Sequence, residues 1–283
     1  MLGLLMRLYR ASPLHPRLGA GLARLLGLAT RHIPSPQVRL IDGIRWELDL
    51  REVIEASLYF SGSFEPRAER IMAEHLRPGM TAIDVGANIG YHTLRMARIV
   101  APTGRVIAIE PAPRAVARLQ RNLALNTFSN VEVEATALGD HDEDLAELQL
   151  QSSYPLSGGS GTERAVVRLA RLDTLVRERQ LLRVDFIKID VDGQEARVLR
   201  GARETLERFR PTLFFELTPS VVEAGGDTIE QLFGSLRALG YSIFDEKGAR
   251  QDDPAEHARR LAPGSGCNLL ALPSAPLESR AEP

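Results

Sequence analysis

The segment 82–91, AIDVGANIGY, constrains the fold of this chain more than any other. Its apolar first half is long enough for one buried parallel strand, and its glycine-cornered second half leads into a helix. Gly86 and Gly90 permit backbone angles and close approaches that a Cβ atom would block. Open α/β sheets bind ligands at such turns, beyond the carboxyl ends of parallel strands. Asp84 adds a carboxylate there, which favours a ligand that carries an ammonium or a sulfonium group.

This turn alone is a weak signal, since an ordinary strand-to-helix turn has the same pattern. Two following segments strengthen the prediction of a nucleoside site. The apolar strand 105–109 ends in Glu110, and in nucleoside-binding α/β folds an acid at this place accepts hydrogen bonds from both ribose hydroxyls. A third strand, 131–136, leads into a turn that ends at Asp140, which suits an adenine edge. A plain turn acid is the alternative for Asp140.

Together with FIKIDVDGQE at 186–195, these motifs resemble the FkbM-type methyltransferases, over roughly residues 45–273. The resemblance implies the α/β fold of class I S-adenosylmethionine-dependent methyltransferases. This fold is a Rossmann-like, seven-stranded, mostly parallel sheet with helices on both faces. The resemblance also implies methyl transfer to a hydroxyl oxygen, often on a sugar, glycolipid or polyketide. Asp192 departs from the family pattern, which more often has Glu there, and its role is therefore less defined.

By motif position, the resemblance implies that S-adenosylmethionine lies against these strand ends. The expected contacts are Asp84, Gly86, Asn88 and Gly90 for the methionine part, Glu110 for the ribose, Leu138, Gly139 and Asp140 for the adenine, and Glu65 near the cofactor. Glu65 is the weakest of these expectations, because an acid in the first turn of a helix is favourable without any ligand.

The reactive end of the cofactor is expected at the end of strand 184–190, beside the strand of Asp84. A sugar hydroxyl is a poor nucleophile, so a base close to it would help. The candidate catalytic residues are Asp190, Lys188, Glu216 and His92. Lys188, one of only two lysines in the chain, shares a strand face with Asp190, either as a structural ion pair or to tune that carboxylate. For His92, a cap or a solvent-facing position is the alternative.

A divalent metal is a second interpretation of the acids after strand 184–190. Asp190, Asp192 and Glu195 carry the oxygen ligands that magnesium and calcium take. The same stretch is also typical of a helix start, with Asp192 as the cap and Glu195 at the third helical position. We prefer capping, and we therefore expect no metal site.

Residues 1–41 contain six arginines and none of the 37 acidic residues of the chain. Arg10, Arg17, Arg24 and Arg31 recur every seven residues, which predicts an amphipathic helix. We favour a helix packed on its own domain over peripheral contact of residues 1–34 with an anionic membrane surface. No apolar run reaches the ~18 residues of a membrane span, and we find no signal peptide. The expected location is the cytoplasm, with the inner membrane surface as the alternative.

The expected acceptor is a small molecule, a glycan or a glycolipid. We expect no nucleic-acid partner, because the main body of the chain is acidic. An N-methyltransferase acting on nucleic acid or protein is one alternative function, and a non-catalytic interaction module is another. The sequence predicts no oligomeric state.

Three regions are predicted along the 283 residues: a basic helical and hairpin extension (1–60), the methyltransferase domain (61–273) and a flexible tail (274–283). Asp42-Gly43 between two apolar runs predicts the hairpin. Two extra strands, 145–151 and 165–169, enclose a Ser- and Gly-rich loop at 152–162. This loop is either a lid over the site or a solvated hairpin tip.

Overall fold

The structure is a computed structural model, and it describes residues 28, 30, 32–156, 161–261 and 265–274. The predicted amphipathic helix with its arginine repeat, the centre of the loop at 152–162 and the tail beyond Ser274 lie outside the described residues. No helix in the described ranges is long and apolar enough to cross a membrane.

Seven strands of the described chain form the central sheet. They are β3 (Thr81–Val85), β4 (Arg105–Ile109), β5 (Val131–Glu134), β9 (Phe186–Ile189), β10 (Thr212–Leu217), β11 (Tyr241–Asp245) and β12 (Cys267–Pro273). Their order is β11-β12-β10-β9-β3-β4-β5. Only β12 runs antiparallel to its neighbours, as the family resemblance implied. The central strand β3 is buried along its whole length, which explains its continuous apolar run.

Helices cover the sheet, and most lie where the sequence predicts them. They are α1 (Val53–Ser61), α2 (Pro66–His75), α3 (Tyr91–Val100), α4 (Pro113–Ala124), α5 (Leu172–Glu178), α6 (Glu195–Arg200), α7 (Arg203–Phe209), α8 (Pro219–Ala224), α9 (Ile229–Ala238) and α10 (Pro254–Arg260). The sequence analysis missed α8 and α10. The strand–helix alternation of the sequence predicts one helix over 195–209, and this is wrong, because α6 and α7 are two separate helices. The helix is interrupted at Gly201, where a Cβ atom would lie 1.9 Å from the backbone oxygen of Gly139.

The predicted hairpin at Asp42-Gly43 is confirmed. It consists of β1 (Gln37–Ile41) and β2 (Ile44–Leu48), and both turn residues have positive φ, which two-residue hairpin turns of this kind require. The inner face of β2 is fully buried, and the Trp46 ring lies 6.3 Å from the ring of Tyr91 at the start of α3. The hairpin therefore packs directly against the helix that follows the glycine turn.

The predicted strand 131–136 is in fact two strands in different sheets. After β5 the chain leaves the central sheet, and β6 (Thr136–Leu138) pairs with β8 (Thr162–Ala170) in a small sheet that β7 (Glu143–Gln151) completes. The predicted extra strands thus exist as β7 and β8. Between them, residues 152–156, here called the strap, return to the hairpin region. Two backbone hydrogen bonds hold the strap there, from Val53 to Tyr154 and from Leu156 to Arg51.

Candidate active site

The glycine turn lies between the carboxyl ends of β4 and β9. The backbone N–H groups of Gly86 and Ala87 both donate to the Ile109 carbonyl at 3.0 Å. Gly86 has a φ of 77°, and a Cβ atom at this position would lie 1.8 Å from the backbone oxygen of Asp190. Only glycine satisfies both the backbone angle and the close approach. The turn at Gly86 therefore packs directly against the carboxyl end of β9, which carries the candidate base Asp190.

Glu110 closes the same turn from the end of β4. Its two carboxylate oxygens accept the backbone N–H groups of Asn88 and Ala112, each at 2.8 Å. The side chain is buried, and this burial raises the pKa of Glu110 to about 7. The left-handed backbone of Asn88, with a φ of 49°, turns its N–H towards that carboxylate. The two sequence motifs are thus joined by a direct hydrogen bond.

Tyr91 and His92, which begin α3, fix the position of Glu65. The Tyr91 hydroxyl accepts the backbone N–H groups of Phe64 at 2.6 Å and Glu65 at 3.0 Å. The imidazole Nε2 of His92 lies 2.8 Å from a carboxylate oxygen of Glu65, and its buried Nδ1 has no partner in the described chain. The structure therefore brings together two candidate residues, His92 and Glu65, that are distant in the sequence. A loop before α2 is anchored to the glycine-turn helix in this way.

Asp84 lies below the site surface and does not open into it. Its carboxylate is fully buried, accepts the Thr93 hydroxyl at 2.6 Å and lies 3.4 Å from the ammonium of Lys188. Lys188 is also buried, and its ammonium lies 3.2 Å from the carboxylate of Asp190. Burial opposes the charge of Lys188, but Asp190 and Asp84 outweigh it and raise the Lys188 pKa above its ordinary value. The lysine stays protonated between two acids.

Asp190 and Glu216 form a carboxyl pair at the ends of β9 and β10. Burial would raise the pKa of Asp190, but the Lys188 ammonium and a hydrogen bond with Glu216 outweigh it and lower that pKa. Burial, the charge of Asp190 and the same hydrogen bond raise the pKa of Glu216 to about 9. At neutral pH the pair therefore holds an ionised Asp190 beside a protonated Glu216. The Asp190 side chain is 37% exposed, so its carboxylate remains accessible from the crevice.

The expectation that Asp192 caps a helix is wrong. The residue before α6 is Gln194, and Asp192 has a φ of 49°, with its two carboxylate oxygens 2.9 and 3.1 Å from the Tyr154 hydroxyl. Glu195 instead accepts the backbone N–H groups of Val191 and Gly193 and so closes the turn before α6. Tyr154, from the strap, is a site residue that the sequence analysis missed. Its one sequence signal is its place in the Ser- and Gly-rich segment between two strands.

Comparison with known proteins decides the family. The model of the methyltransferase FkbM domain matches residues 84–243, from Asp84 on β3 to Ile243 on β11. The chain belongs to this family. The FkbM-type methyltransferases take S-adenosylmethionine as the methyl donor. The central sheet of this chain has the strand order described above.

Curated relatives support the assignment. The chain is 28% identical over 227 residues to the 31-O-demethyl-FK506 methyltransferase FkbM of Streptomyces tacrolimicus, which covers 68% of this chain and 84% of that protein. It is 28% identical over 153 residues to the 2-O-methyltransferase NoeI of Sinorhizobium fredii, covering 47% and 62%. With methyltransferase 1 of Beauveria bassiana it shares 32% identity over 146 residues, covering 42% and 57%. The match thus spans little more than half the length of some relatives.

Among solved structures, the methyltransferase FkbM of Methylobacillus flagellatus KT superposes with a TM-score of 0.43 and 17% identity. The superposition covers 75% of this chain and 52% of that one. A likeness this distant says nothing about the site.

The donor set of this FkbM-type methyltransferase fits S-adenosylmethionine. Each carboxylate oxygen of Glu110 accepts one backbone N–H and keeps a lone pair for a ribose hydroxyl. Gly86 and Gly90 keep the turn compact, because a Cβ atom at either position would meet the protein, at Asp190 and at Leu119.

The predicted adenine turn is less exposed than the sequence suggested. Leu138 packs in the main core and Gly139 is buried, with its carbonyl close to Gly201. The carboxylate of Asp140 lies 3.0 Å from Arg200 and 3.4 Å from Arg197, and these arginines with His141 hold its pKa below the ordinary value against the effect of burial. Asp140 therefore has charged partners of its own, and its contact with adenine stays a prediction.

The acids considered as metal ligands have other partners. Asp192 accepts the Tyr154 hydroxyl and Glu195 accepts two backbone N–H groups. In the described ranges, no group of three or more His, Cys, Asp or Glu side chains is placed to hold a metal ion.

Proposed function

We propose that this FkbM-type methyltransferase transfers the methyl group of S-adenosylmethionine to a hydroxyl oxygen of a sugar, a glycolipid or another hydroxylated metabolite. The observation that carries the proposal is the position of the Asp190 carboxylate at the end of β9, where it is 37% exposed and lies 3.2 Å from the buried ammonium of Lys188. The names of two relatives, a 31-O-demethyl-FK506 methyltransferase and a 2-O-methyltransferase, support an oxygen acceptor.

The proposed step is an in-line displacement. S-adenosylmethionine, when bound, supplies a methyl group activated by its sulfonium. The acceptor oxygen forms the new bond to carbon as the bond from carbon to sulfur breaks, and Asp190 takes the hydroxyl proton. Asp190 is a weak base because Lys188 lowers its pKa. A weak base is sufficient here, since the acceptor oxygen becomes strongly acidic once it bonds to the methyl carbon.

Four side chains would support Asp190 in this role. Lys188 fixes its charge from below, and Glu216 donates a hydrogen bond from the next strand. Tyr154 holds Asp192, which brings a second carboxylate to the same strand end. His92 is oriented by Glu65 and also favours the ionised form of Asp190. These contacts hold the base in one orientation, which an in-line transfer requires.

The donor would be held by the opposite part of the site. Gly86, Asn88 and Gly90 are proposed to line the methionine part, and Glu110 to bind the ribose hydroxyls. Asp84 would act as a positioning residue, because its carboxylate holds Lys188 and Thr93 and not the ligand.

Mass spectrometry of glycans, lipids and small metabolites tests the proposal, with cells that carry the wild-type protein compared with cells that carry Asp190→Asn. We expect species heavier by one methylene, about 14 daltons, only with the wild-type protein, and fragmentation that places the methyl group on oxygen. Methyl groups found on nitrogen in RNA or protein, with none on hydroxyl groups, would contradict it. Binding of S-adenosylhomocysteine to both proteins is the control for folding.

A further inference from the structure

A second cleft lies beside the strap. It has a volume of about 490 Å³, within the range of small-molecule sites. Its walls come from the end of the hairpin, the outer face of α4 and the strap, and no residue proposed above for the donor or the reaction lines it. We call it the arginine cleft, because four arginines line it. They are Arg51, Arg114, Arg118 and Arg121.

Three of these arginines share one helix face. Arg114, Arg118 and Arg121 follow each other at spacings of four and three residues on α4, so their side chains are neighbours. Like charges at such spacings destabilise a helix unless something compensates them. Burial lowers the pKa of Arg118, and the charge of Arg121 lowers it further. The acids Glu47, Asp49 and Glu52 also line the cleft, so the charges of the arginines are largely compensated there.

The carboxylates around the cleft are already engaged. Glu52 accepts the backbone N–H of Tyr154 at 2.7 Å. The ion pairs are Glu47 with Arg121 at 2.7 Å, Asp49 with Arg51 at 2.7 Å, and the buried Glu55 with Arg118. Three of the four arginines thus have a carboxylate partner.

Arg114 is the exception. Its guanidinium forms no ion pair within the ranges that the structure describes, although it lines the cleft. Its backbone N–H, in the first turn of α4, donates to the Glu163 carboxylate at 3.2 Å, so an oxyanion already binds at this helix start. Five guanidinium N–H donors remain for a ligand, with Ser153 on the strap side.

We propose that the arginine cleft binds an oxyanion group, a phosphate or a carboxylate, on the methyl acceptor. A guanidinium binds such groups in a bidentate way, and Arg114, which has no ion-pair partner among the described residues, gives the cleft that capacity. This inference rests on the proposed function, because it assigns the cleft to the acceptor.

The strap connects the cleft to the reaction end. Tyr154 donates its backbone N–H to Glu52 in the cleft wall, and its hydroxyl to Asp192 beside the carboxyl pair. The two sites are therefore one tyrosine side chain apart. An acceptor that spans both sites would place its acidic group in the cleft and extend along Tyr154 towards Asp192.

Isothermal titration of the full chain at low ionic strength tests the inference, with pyrophosphate and citrate as separate probes. We expect at least one of them to bind, and Arg114→Gln to weaken that binding at least about tenfold. Arg114→Lys keeps the positive charge but loses the paired N–H donors of the guanidinium. Its affinity for the probe should therefore lie between those of the wild type and Arg114→Gln. Arg98→Gln, which changes an exposed arginine of α3 outside the cleft, is the matched control and should bind like the wild type.

The outcomes separate this inference from the proposed function. Binding of pyrophosphate alone would assign the cleft to a phosphorylated acceptor, and binding of citrate alone to a carboxylated one. No binding of either probe up to about 10 mM, or equal binding by Arg114→Gln and wild type, would overturn the inference. S-adenosylhomocysteine is titrated into the same samples. If it binds while the anions do not, the proposed function stands without the cleft.

Discussion

The donor end and the reaction end of the proposed site differ in the groups that form them. The proposed donor end, at Gly86, Asn88, Gly90 and Glu110, consists of backbone conformation and one carboxylate, all within two consecutive strand-to-helix turns. The reaction end draws ionisable side chains from five separate segments. They are Glu65 before α2, His92 on α3, Tyr154 in the strap, Lys188 and Asp190 at β9, and Glu216 on β10.

The two ends should respond differently to substitution. The donor end depends on close approach and allows little variation, because a Cβ at Gly86 would meet the Asp190 backbone. The reaction end depends on charge states that neighbouring groups set, so single substitutions there change chemistry without changing the backbone. Substitutions at the two ends should therefore separate donor binding from methyl transfer.

The largest effect is expected for Asp190→Asn. Removal of the ionised base should lower formation of the methylated product by at least about 100-fold. Affinity for S-adenosylhomocysteine should change by less than about threefold, because the substitution is at the reaction end. Kinetics on the acceptor found by mass spectrometry, together with calorimetry, measure both effects. Asp252→Asn, at an exposed acid of the described surface, should change neither.

Gly86→Ala should damage the donor end through the backbone. Its Cβ would meet the Asp190 carbonyl in a left-handed conformation, so we expect a loss of about 3 kcal/mol of unfolding free energy and loss of S-adenosylhomocysteine binding. Gly226 has a φ of 86°, and no atom lies within 4 Å of the position that a Cβ would take. Gly226→Ala should therefore lower the unfolding free energy by only about 1 kcal/mol. Urea unfolding of both variants measures the difference. Equal losses would show that the close approach does not matter.

Glu216→Gln tests the charge state of the carboxyl pair. The folded-state pKa of about 9 lies above the ordinary 4.5, so the stability that the protonated group provides is lost as pH rises through this window. Glutamine cannot ionise, and the variant should gain at least about 1 kcal/mol relative to wild type between pH 5 and pH 8.5. Urea unfolding at both pH values measures this gain. An equal pH dependence of both proteins, as expected for the exposed control Glu74→Gln, would contradict the protonated pair.

Tyr154→Phe should have the smallest effect, about tenfold on product formation. Loss of the hydroxyl frees Asp192 and raises its pKa further, because the Tyr154 hydrogen bond lowers it. Calorimetry should show unchanged S-adenosylhomocysteine affinity. Tyr59→Phe removes a hydroxyl that binds Arg39 outside the site and serves as the control. A weaker affinity for S-adenosylhomocysteine in Tyr154→Phe would place the strap at the donor end instead.

The donor end was predictable because its signals are local. The strand before Gly86, the acid at Glu110 and the antiparallel β12 all lie where the sequence and the resemblance placed them. Local patterns failed where a distant contact decides. Gly201 breaks a predicted helix because it packs on Gly139, and Asp192 is turned towards Tyr154 and away from capping.

The reaction end was predictable only as a list of acids. The sequence placed Asp190, Lys188, Glu216 and His92 near one edge of the sheet, but it did not show that Asp84 is buried under Lys188. Tyr154 could not be found, because the strap reaches the site through backbone hydrogen bonds to Arg51 and Val53, which no sequence pattern encodes. Non-local packing sets these pairings and therefore the charge states.

Calorimetric titration with S-adenosylhomocysteine across pH 6 to 8 tests whether Glu110 binds the ribose hydroxyls of the methyl donor. The wild type should bind more tightly as pH rises, because the pKa of Glu110 is about 7 and its ionised form is the better acceptor for ribose hydroxyls. Glu110→Gln should bind at least about tenfold more weakly at pH 8, without that pH dependence, and Glu132→Gln on β5 should behave like the wild type. Absence of binding by the wild type, or equal binding by Glu110→Gln, would contradict the account.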